Sequence, residues 1–349
     1  MKNRIFIVTG AMGHLGNTIV QELVSRGETV RAFALPGDQS TSFDSPLVTV
    51  YYGDVCDKAS LEPIMSVPKG YETYVIHAAG IVSIASRYDD RVRQVNVEGT
   101  KNMAEISAKH DVTKFVYVSS VHALPESETT IHEASHFDAD SVFGLYSQTK
   151  AIASQYVLDM AAKGLRAVIV HPSGIIGPYD YGHGHLTQMI RGYVEGRLTA
   201  AIHGGYDFVD VRDVAFGVIS ASLQGRTGEC YILSGSFSSI KNMLDKLSRI
   251  TGKKPIRVYL PMWFAKASAP LAEIYYKILR KPPIYSSYAL KVLSSNSHFS
   301  HEKATRELGY TPRSIFDTLA DTAHWMSDNG RMSPPKRTRK LKKTCPAGI

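Results

Sequence analysis

The chain of 349 residues is long enough for about two domains and can bury a core without disulfides or metals. Hydrophobic residues make up 44% of it and charged residues 21%, which excludes a disordered or collagen-like chain. The cysteines Cys56, Cys230 and Cys345 lie far apart and are odd in number, so they predict neither a disulfide framework nor a zinc site. We therefore expect a reducing, cytoplasmic setting.

The net charge of +8 comes almost entirely from the last nineteen residues. Residues 331–349 contain seven lysines and arginines and no acid, whereas the rest of the chain has 33 basic and 32 acidic residues. This composition predicts a disordered basic tail, either solvated or in contact with nucleic acid or an anionic membrane. No stretch of 18 uncharged apolar residues occurs, so we expect a soluble protein.

Short apolar segments alternate with helical patterns through the first half of the chain. This alternation predicts an α/β fold, a Rossmann-type doubly wound parallel sheet covered on both faces. The predicted strands are 4–8, 29–34, 47–52, 74–77, 115–118 and 167–170, and the predicted helices include 16–26, 92–110 and 145–163.

Beyond His171 the alternation becomes irregular, and further strands are predicted at 208–214 and 231–234. We expect a smaller, discontinuous substrate-binding region here, interleaved with the last strands of the sheet. The predicted division is a dinucleotide-binding core, 1–173, with returning strands at about 200–235; a substrate-binding region, 174–199 and 236–330; and the basic tail, 331–349.

The first strand runs into Thr9-Gly10-Ala11-Met12-Gly13-His14-Leu15-Gly16, where the glycines have the spacing G-x-x-G-x-x-G. Such a loop turns tightly, lets the backbone approach a pyrophosphate, and places that charge at the N-terminus of the next helix. Because the glycines lie between the first strand and the first helix, they predict a dinucleotide site.

This spacing resembles the short-chain dehydrogenase/reductase family, and later segments resemble its extended, epimerase/dehydratase-like branch over residues 3–325. In that branch an acid after the third strand holds the adenine ring, a position matched by Asp54, and Asn96 matches an asparagine of the central helix. The resemblance implies NAD(H) or NADP(H) as cofactor. The residues implied to hold it are Gly10, Met12, Gly13, His14, Leu15, Gly16, Leu35, Asp54, Val55, Ala78, Ala79, Gly80, Asn96, Tyr146, Lys150, Pro172 and Ser173.

The end of the second strand decides between the two cofactors, because an acid there binds the ribose hydroxyls and an arginine binds the 2′-phosphate. The matching positions are Ala34 and Leu35, so neither signal is present. Asp38 is a candidate for the ribose and Arg31 for a phosphate. The absence of an arginine at Leu35 favours NAD(H).

Tyr146 and Lys150 are four residues apart at the start of a predicted helix, so they share one face. A phenol with a pKa of about 10 is a poor acid–base catalyst near neutrality, but a nearby ammonium stabilises the phenolate and lowers that pKa. In the family these two residues are catalytic together with a serine. Ser120, at the end of the fifth strand, matches that serine, and Ser119 is the second candidate.

His183 and His185 lack a third ligand at a suitable spacing, so they predict no metal site. We expect this glycine- and histidine-containing loop to lie over the substrate instead.

Two departures from the sugar-nucleotide enzymes of the branch indicate another substrate. His171 stands where those enzymes have asparagine, and Tyr206 where they commonly have arginine, so two phosphate partners are missing. Aromatic residues predict an apolar pocket in their place, with Tyr179, Tyr181, Trp263, Tyr275 and Tyr276 as contributors. The candidate substrate residues are Ser83, His122, Tyr179, Tyr181 and Tyr206.

The pattern is similar to the dihydroflavonol-reductase and 3β-hydroxysteroid-dehydrogenase branch. This similarity implies hydride transfer between the cofactor and a ketone or secondary alcohol on an apolar, steroid-, bile-acid- or flavonoid-like molecule, in a protein that is commonly a homodimer. Two alternatives stay open. One is a nucleotide-sugar epimerase or dehydratase, with Arg191, Arg197 or Arg212 as phosphate anchors; the other is a non-catalytic dinucleotide-sensing regulator.

Overall fold

The computed structural model describes residues 3–38, 40, 43–83, 88–182, 184–269 and 287–329. Tyr275, Tyr276, His183 and the tail therefore lie outside the described residues. The strands in the described ranges are β1 Arg4–Thr9, β2 Thr29–Ala34, β3 Val48–Tyr52, β4 Glu72–His77, β5 Lys114–Val118, β6 Ala167–Pro172, β7 Gly174–Ile176, β8 Ala200–Ile202, β9 Gly205–Asp210, β10 Cys230–Leu233, β11 Ser236–Ser239 and β12 Val258–Leu260.

Helices connect these strands, and a π-helical turn, Gln94–Gly99, joins α3 to α4. A further helical segment spans 262–269. The helices in chain order are α1 His14–Ser25, α2 Lys58–Met65, α3 Asp90–Arg93, α4 Thr100–Lys109, α5 Leu145–Ala162, α6 His185–Val194, α7 Val211–Gln224, α8 Ile240–Thr251, α9 Ser287–Ser294, α10 Glu302–Leu308 and α11 Ile315–Asp328. In this described part of the chain, none of the helices is long and apolar enough to cross a membrane.

Seven strands form the central sheet in the order β10-β6-β5-β4-β1-β2-β3, and every neighbouring pair is parallel. The chain order reverses at β1, which lies between β2 and β4. Ligands of such sheets bind in the crevice outside the carboxyl ends of the strands at this switch point. The glycine loop leaves the end of β1 and therefore borders that crevice.

Helices cover both faces of the central sheet. Phe6 of β1 belongs to one buried cluster with Ile19 of α1 and Val218 of α7. Its neighbour Ile7 points the other way and belongs to a second cluster, which includes Leu61 of α2. The alternation follows from the two-residue period of a strand, and the predicted doubly wound α/β fold is confirmed.

The smaller part of the molecule contains two short sheets, β11-β9-β7 and β12-β8. The strand predicted at 208–214 is wrong beyond Asp210, because the Asp210 carboxylate accepts the Arg212 backbone N–H at 2.8 Å and starts α7. Of the returning strands predicted at 200–235, β10 joins the central sheet and β8 and β9 do not. Ala304 and Leu308 of α10 belong to the predicted substrate-binding region, yet they pack in a core cluster of the central sheet.

Candidate active site

The glycine loop leaves no room for side chains at two of its three glycines. Gly10 has a φ of +66°, and a Cβ there would lie 2.8 Å from the Ala79 nitrogen. A Cβ on Gly16 would lie 2.0 Å from the Gly10 carbonyl oxygen. Gly13 is the N-cap of α1 and offers no side-chain cap to the first N–H groups of that helix. The loop thus has the shape and the open donors that a pyrophosphate requires.

The remaining residues of the loop fix it to its surroundings. Met12 is buried, and Leu15 packs at the edge of the core. His14 Nε2 donates to the Pro178 carbonyl at 2.8 Å, and burial lowers the pKa of this imidazole. The predicted cofactor residue His14 therefore ties the glycine loop to the chain that follows β7.

Asp54, the residue predicted to hold the adenine, follows the end of β3. Asp54 Oδ1 accepts the Cys56 N–H at 2.9 Å, and Val55 packs against Gly99, where a Cβ would lie 2.7 Å from Val55 Cγ2. Leu35 is 44% exposed at the end of β2. These positions fit an adenosine and contain no basic side chain that would favour a 2′-phosphate.

The two charged side chains proposed near that ribose are engaged elsewhere. Arg31 Nη1 donates to the carbonyls of Ile64 and Ser66, at 2.7 and 3.0 Å, so the guanidinium faces the end of α2. Asp38 Oδ1 accepts from the hydroxyl and the backbone of Ser40. β2 therefore directs the Arg31 side chain toward the end of α2, and its role at a phosphate stays a prediction.

A buried hydrogen-bond network holds the loop after β4. His77 connects Thr9 Oγ1, at 2.7 Å, to Thr100 Oγ1, at 3.1 Å, and the Thr9 hydroxyl accepts the Ala79 N–H at 3.2 Å. Burial and the charge of Lys150 lower the pKa of His77 to about 3, so it stays neutral near pH 7. This network sets the distance between the ends of β1 and β4, where the crevice opens.

Asn96 positions this loop and keeps no free polar atom. Its Oδ1 accepts the Ile81 N–H at 2.8 Å, and its Nδ2 donates to the Ile81 carbonyl and to Thr149 Oγ1. Gly80 fits tightly beside it, because a Cβ there would lie 3.2 Å from Asn96 Oδ1 and 3.4 Å from Lys150 Nζ. Asn96 therefore fixes the loop after β4 to Thr149 of α5, and Ala78 leads into the same loop.

Ser120, Tyr146 and Lys150 come together beside this loop. Tyr146 and Lys150 lie one turn apart on α5, and the Ser120 hydroxyl hydrogen-bonds the Tyr146 phenol. Lys150 Nζ donates to the Val118 carbonyl at 2.9 Å and lies 4.9 Å from the centre of the Tyr117 ring. All three predicted catalytic side chains are buried in the apolar interior.

Burial controls the ionisation of this group. It raises the pKa of Tyr146 to about 12, against a smaller opposite effect of the Ser120 hydrogen bond. It lowers the pKa of Lys150 to about 7. The expected lowering of the Tyr146 pKa is therefore absent from the chain by itself, because loss of water disfavours both charged forms.

The two serines at the end of β5 point in different directions. Ser119 Oγ hydrogen-bonds Ser154 Oγ at 2.7 Å, inside the contact between β5 and α5. Ser120 faces the crevice, and the His171 Nδ1–H donates to its carbonyl at 3.0 Å. The structure thus separates the first serine candidate from the second, and it gives His171 a place behind Ser120.

A pocket lined by His122, Ser147 and Tyr206 opens close to Tyr146. His122 stands between Tyr146 and Tyr206: its ring centroid is 5.9 Å from the first ring and 5.6 Å from the second, and its Nε2 hydrogen-bonds the Tyr206 hydroxyl at 3.1 Å. Burial lowers the pKa of His122 to about 4. Two of the predicted substrate residues, His122 and Tyr206, therefore form one uncharged wall of the pocket.

Another wall of the pocket includes Tyr288, which could not be assigned to the site from the sequence. Tyr288 of α9 hydrogen-bonds Ser147 at 3.1 Å and stacks on Phe143, with ring centroids 6.2 Å apart. Gly144, at a φ of +92°, admits the Tyr288 ring, because a Cβ there would lie 2.6 Å from Tyr288 Cε2. Gly144, two residues before Tyr146, is the one signal in the sequence of close packing at this point.

Other predicted site residues lie outside this pocket. Tyr179 and Tyr181 pack edge-on against Trp325 of α11, with ring centroids 6.1 and 5.4 Å away. The Ser173 hydroxyl donates to Asp207, and Ser83 does not line the pocket. The structure places Pro172 opposite Leu233, at the end of β6. Trp263 is 72% exposed on the molecular surface.

Phosphate and metal anchors are missing from the described part of the chain. Arg191 and Arg197 both pair with Glu195, and Arg212 pairs with Asp210 and Asp321. No group of three possible metal ligands was found among the described residues. The three arginines considered for a sugar nucleotide are therefore all in ion pairs, two of them with the same carboxylate.

The proteins that this chain is similar to agree with the geometry of the site. The sequence model of the NAD dependent epimerase/dehydratase family matches residues 6–233. Sterol demethylase protein B of Methylococcus capsulatus is 30% identical over 332 residues, which cover 93% of this chain and 98% of that protein. The crystal structure of gox2253 is 30% identical and matches with a TM-score of 0.81, over 95% of this chain and 100% of that one. The chain belongs to the NAD dependent epimerase/dehydratase family.

Other relatives narrow the class further. A putative dihydroflavonol 4-reductase of Synechocystis is 29% identical, over 93% of this chain and 95% of that protein. A 3-beta-hydroxysteroid dehydrogenase of Mycolicibacterium neoaurum is 26% identical, over 88% and 86%. The predicted class, an NAD(P)-dependent dehydrogenase or reductase acting on CH–OH groups in the extended branch of the short-chain dehydrogenase/reductase family, is confirmed.

Proposed function

We propose that this protein is an NAD(H)-dependent oxidoreductase that interconverts a ketone and a secondary alcohol on an apolar, steroid-, bile-acid- or flavonoid-like substrate. One observation carries the proposal: the Ser120–Tyr146–Lys150 group lies beside a pocket with aromatic walls, whose two charged lining residues, Glu126 and Lys291, pair with each other at 3.5 Å. The relatives support it, since their names include a dihydroflavonol reductase and a hydroxysteroid dehydrogenase.

The chain's own residues would hold the dinucleotide along the crevice. The open N–H groups of α1 and the side-chain-free surface of Gly10 would take the pyrophosphate, and Asp54 the adenine. Lys150, 3.4 Å from the position of a Gly80 Cβ, would reach the nicotinamide ribose. When bound, the nicotinamide supplies or accepts the hydride.

The proton chemistry belongs to Tyr146 and Ser120. In the reducing direction the Tyr146 phenol would donate its proton to the substrate oxygen, and in the oxidising direction its phenolate would take one back. The Ser120 hydroxyl would hydrogen-bond the same oxygen while negative charge develops there. The positive charge that stabilises the phenolate would come from Lys150, in the same buried group, together with the oxidised nicotinamide when it is bound.

NAD(H) is the preferred cofactor in this proposal. Leu35 occupies the position of the phosphate-binding arginine, and the nearest arginine, Arg31, donates to carbonyls of α2. We therefore expect NADH to bind at least tenfold more tightly than NADPH, since no cation meets the additional phosphate. A Leu35→Arg variant should narrow that ratio.

The other functions considered have less support. A nucleotide-sugar epimerase or dehydratase needs phosphate anchors, and Arg191, Arg197 and Arg212 are all paired with acids. A dinucleotide sensor has no need of an intact catalytic group. We also infer a reducing, cytoplasmic setting, in which the free thiols of Cys56 and Cys230 persist, and a homodimer by family resemblance.

The test is a turnover screen with purified protein. NADH and NADPH would be offered with ketosteroids, flavanone-type ketones, and UDP- and GDP-sugars. Oxidation of NADH by an apolar ketone supports the proposal if Tyr146→Phe lowers its rate about a hundredfold or more. Interconversion of sugar nucleotides without net NADH consumption would replace it with the epimerase alternative.

A further inference from the structure

An exposed aromatic pair lies on the helical segment 262–269. Trp263 is 72% exposed and Phe264 45%, and their rings stand edge to face with centroids 5.8 Å apart. Val258 of β12, five residues earlier, is 54% exposed. Exposed hydrophobic residues are normal singly, but an adjacent tryptophan and phenylalanine are expensive to leave in water and mark a surface that binds something apolar.

The same part of the chain is strongly basic. Residues 246–272 contain six lysines and arginines and no acid. Exposed Lys253, Lys254, Arg257 and Lys266 form no ion pair with another described residue. Without this stretch and residues 331–349, the net charge of the chain would be −5 instead of +8. We call residues 253–266 the 253–266 surface.

This surface lies next to the helix that lines the substrate pocket. Ala265 and Ala269, on the inner side of the helical segment, form a buried cluster with Leu290 of α9. The opposite side of α9 contributes Tyr288 and Lys291 to the pocket. Only one helix therefore separates the exposed aromatic pair from the pocket.

We propose that the 253–266 surface binds the headgroup region of an anionic lipid bilayer, from which the pocket takes up its substrate. Tryptophan favours the membrane–water interface because one part of its ring system is apolar and its N–H is polar. Each base near an anionic leaflet adds to the attraction. A second copy of the chain fits less well, because a two-fold contact would bring the same unpaired, positively charged side chains together. The uptake part of this proposal rests on the apolar substrate proposed above.

The first test follows Trp263 itself. The chain has two tryptophans, and the other, Trp325, is only 9% exposed. In full-length Trp325→Phe protein, Trp263 is the sole tryptophan. We expect its emission to shift to the blue with vesicles of phosphatidylcholine and phosphatidylglycerol at 7:3, and brominated lipid to quench it. Partition onto pure phosphatidylcholine should be at least tenfold weaker, and raising NaCl from 0.1 to 0.5 M should weaken the anionic case.

The second test uses matched variants of the full chain in vesicle sedimentation. Trp263→Ser/Phe264→Ser should bind at least tenfold more weakly, whereas Phe316→Ser, which alters a 42% exposed phenylalanine on α11, should bind like wild type. Lys253→Gln/Lys254→Gln should weaken binding to anionic vesicles by about tenfold or more and leave the weak binding to neutral ones unchanged.

Three results would overturn the proposal. If Trp263→Ser/Phe264→Ser bound vesicles as tightly as wild type, the attraction would be due to basic residues alone, such as those of 331–349. A Trp263 shift caused by a single-stranded RNA oligonucleotide at lower concentration than by vesicles would indicate nucleic acid. A dimer that the double variant dissociates would indicate a second copy. Because sedimentation uses no substrate and ketone turnover uses no vesicles, either proposal can fail while the other stands.

Discussion

Tyr146 and Lys150 lie one turn apart, and burial moves their pKa values apart, because it raises that of the phenol and lowers that of the amine. The phenol is held protonated, with a pKa of about 12, and the amine loses its proton near pH 7. Their spacing in the sequence predicts a lowered tyrosine pKa, because that argument counts the ammonium and not the water that the fold removes. A working pKa therefore needs positive charge that the chain alone does not bring to the phenol.

The lowered pKa of Lys150 also makes a prediction about stability. Folding lowers it from 10.5 to about 7, so between those pH values the unfolded chain binds a proton that the native chain does not. Native stability should therefore fall as the pH decreases from about 10 to about 7. Lys150→Met should be inactive but more stable than wild type at pH 7, by about 2 kcal/mol in free energy of unfolding.

Urea unfolding of both proteins between pH 7 and 10 measures this effect. The difference should shrink toward pH 10, because the pH then approaches the unfolded pKa of 10.5 and removing the proton from the native lysine costs progressively less free energy. A difference that stays constant across this range would show that the lysine is not held neutral by burial.

Ser119 and Ser120 are adjacent, and only one of them faces the crevice. Ser120→Ala should lower kcat about a hundredfold, because it removes a donor to the substrate oxygen. Ser119→Ala loses the hydrogen bond to Ser154 and should cost about 1 kcal/mol of stability with little change in kcat. Steady-state kinetics and thermal unfolding of the two variants separate these effects. Equal losses of kcat would contradict the assignment.

At the scale of elements, the glycine loop depends on close backbone approach as well as on conformational freedom. Gly10→Ala would place a Cβ 2.8 Å from the Ala79 nitrogen, and Gly37→Ala, at a similarly positive φ of +79°, would meet no atom within 4 Å. We expect Gly10→Ala to weaken NADH binding at least tenfold, and Gly37→Ala to cost only about 1 kcal/mol of stability. Calorimetric titration with NADH checks both. Equal NADH affinities would show that the close approach has no bearing on the cofactor.

The elements near β1 and α5 could be predicted from local patterns, whereas others could not. The helix predicted at 145–163 is found at Leu145–Ala162, because its pattern is long and has a glycine before it. The segment 208–214 has an apolar pattern that suits a strand or a helix, and the Asp210 cap decides it. The helix predicted at 92–110 is interrupted by a π-helical turn, which seats Gly99 against Val55.

The walls of the pocket show where sequence reasoning ends. Tyr288 and Ser147 are 141 residues apart and meet only through the docking of α9. His122 and Tyr206 were considered from their positions, but their shared hydrogen bond depends on β9 lying beside the end of β5. Conversely, Tyr179 and Tyr181 were grouped with the pocket because they are aromatic, and α11 covers them instead.

For the whole molecule, the crevice lies at the carboxyl edge of the central sheet, and the chain between β5 and α5 lines the pocket together with β9 and α9. The order of strands brings the glycine loop, Gly80 and Lys150 to one edge, although 140 residues separate the first from the last. The identity of the substrate depends on the smaller part, and α9 and β9 supply its aromatic side chains. We therefore propose hydride transfer to a ketone held in that pocket.

The most direct measurement of that claim is isotopic. Purified protein would be given NADH deuterated at nicotinamide C4, once on each face, together with the apolar ketone that it turns over. We expect one deuterium at the new carbinol carbon per NADH oxidised, from one face only, and loss of this transfer in Tyr146→Phe. A product without deuterium, or sugar nucleotides interconverted while the NADH stays unoxidised, would contradict it.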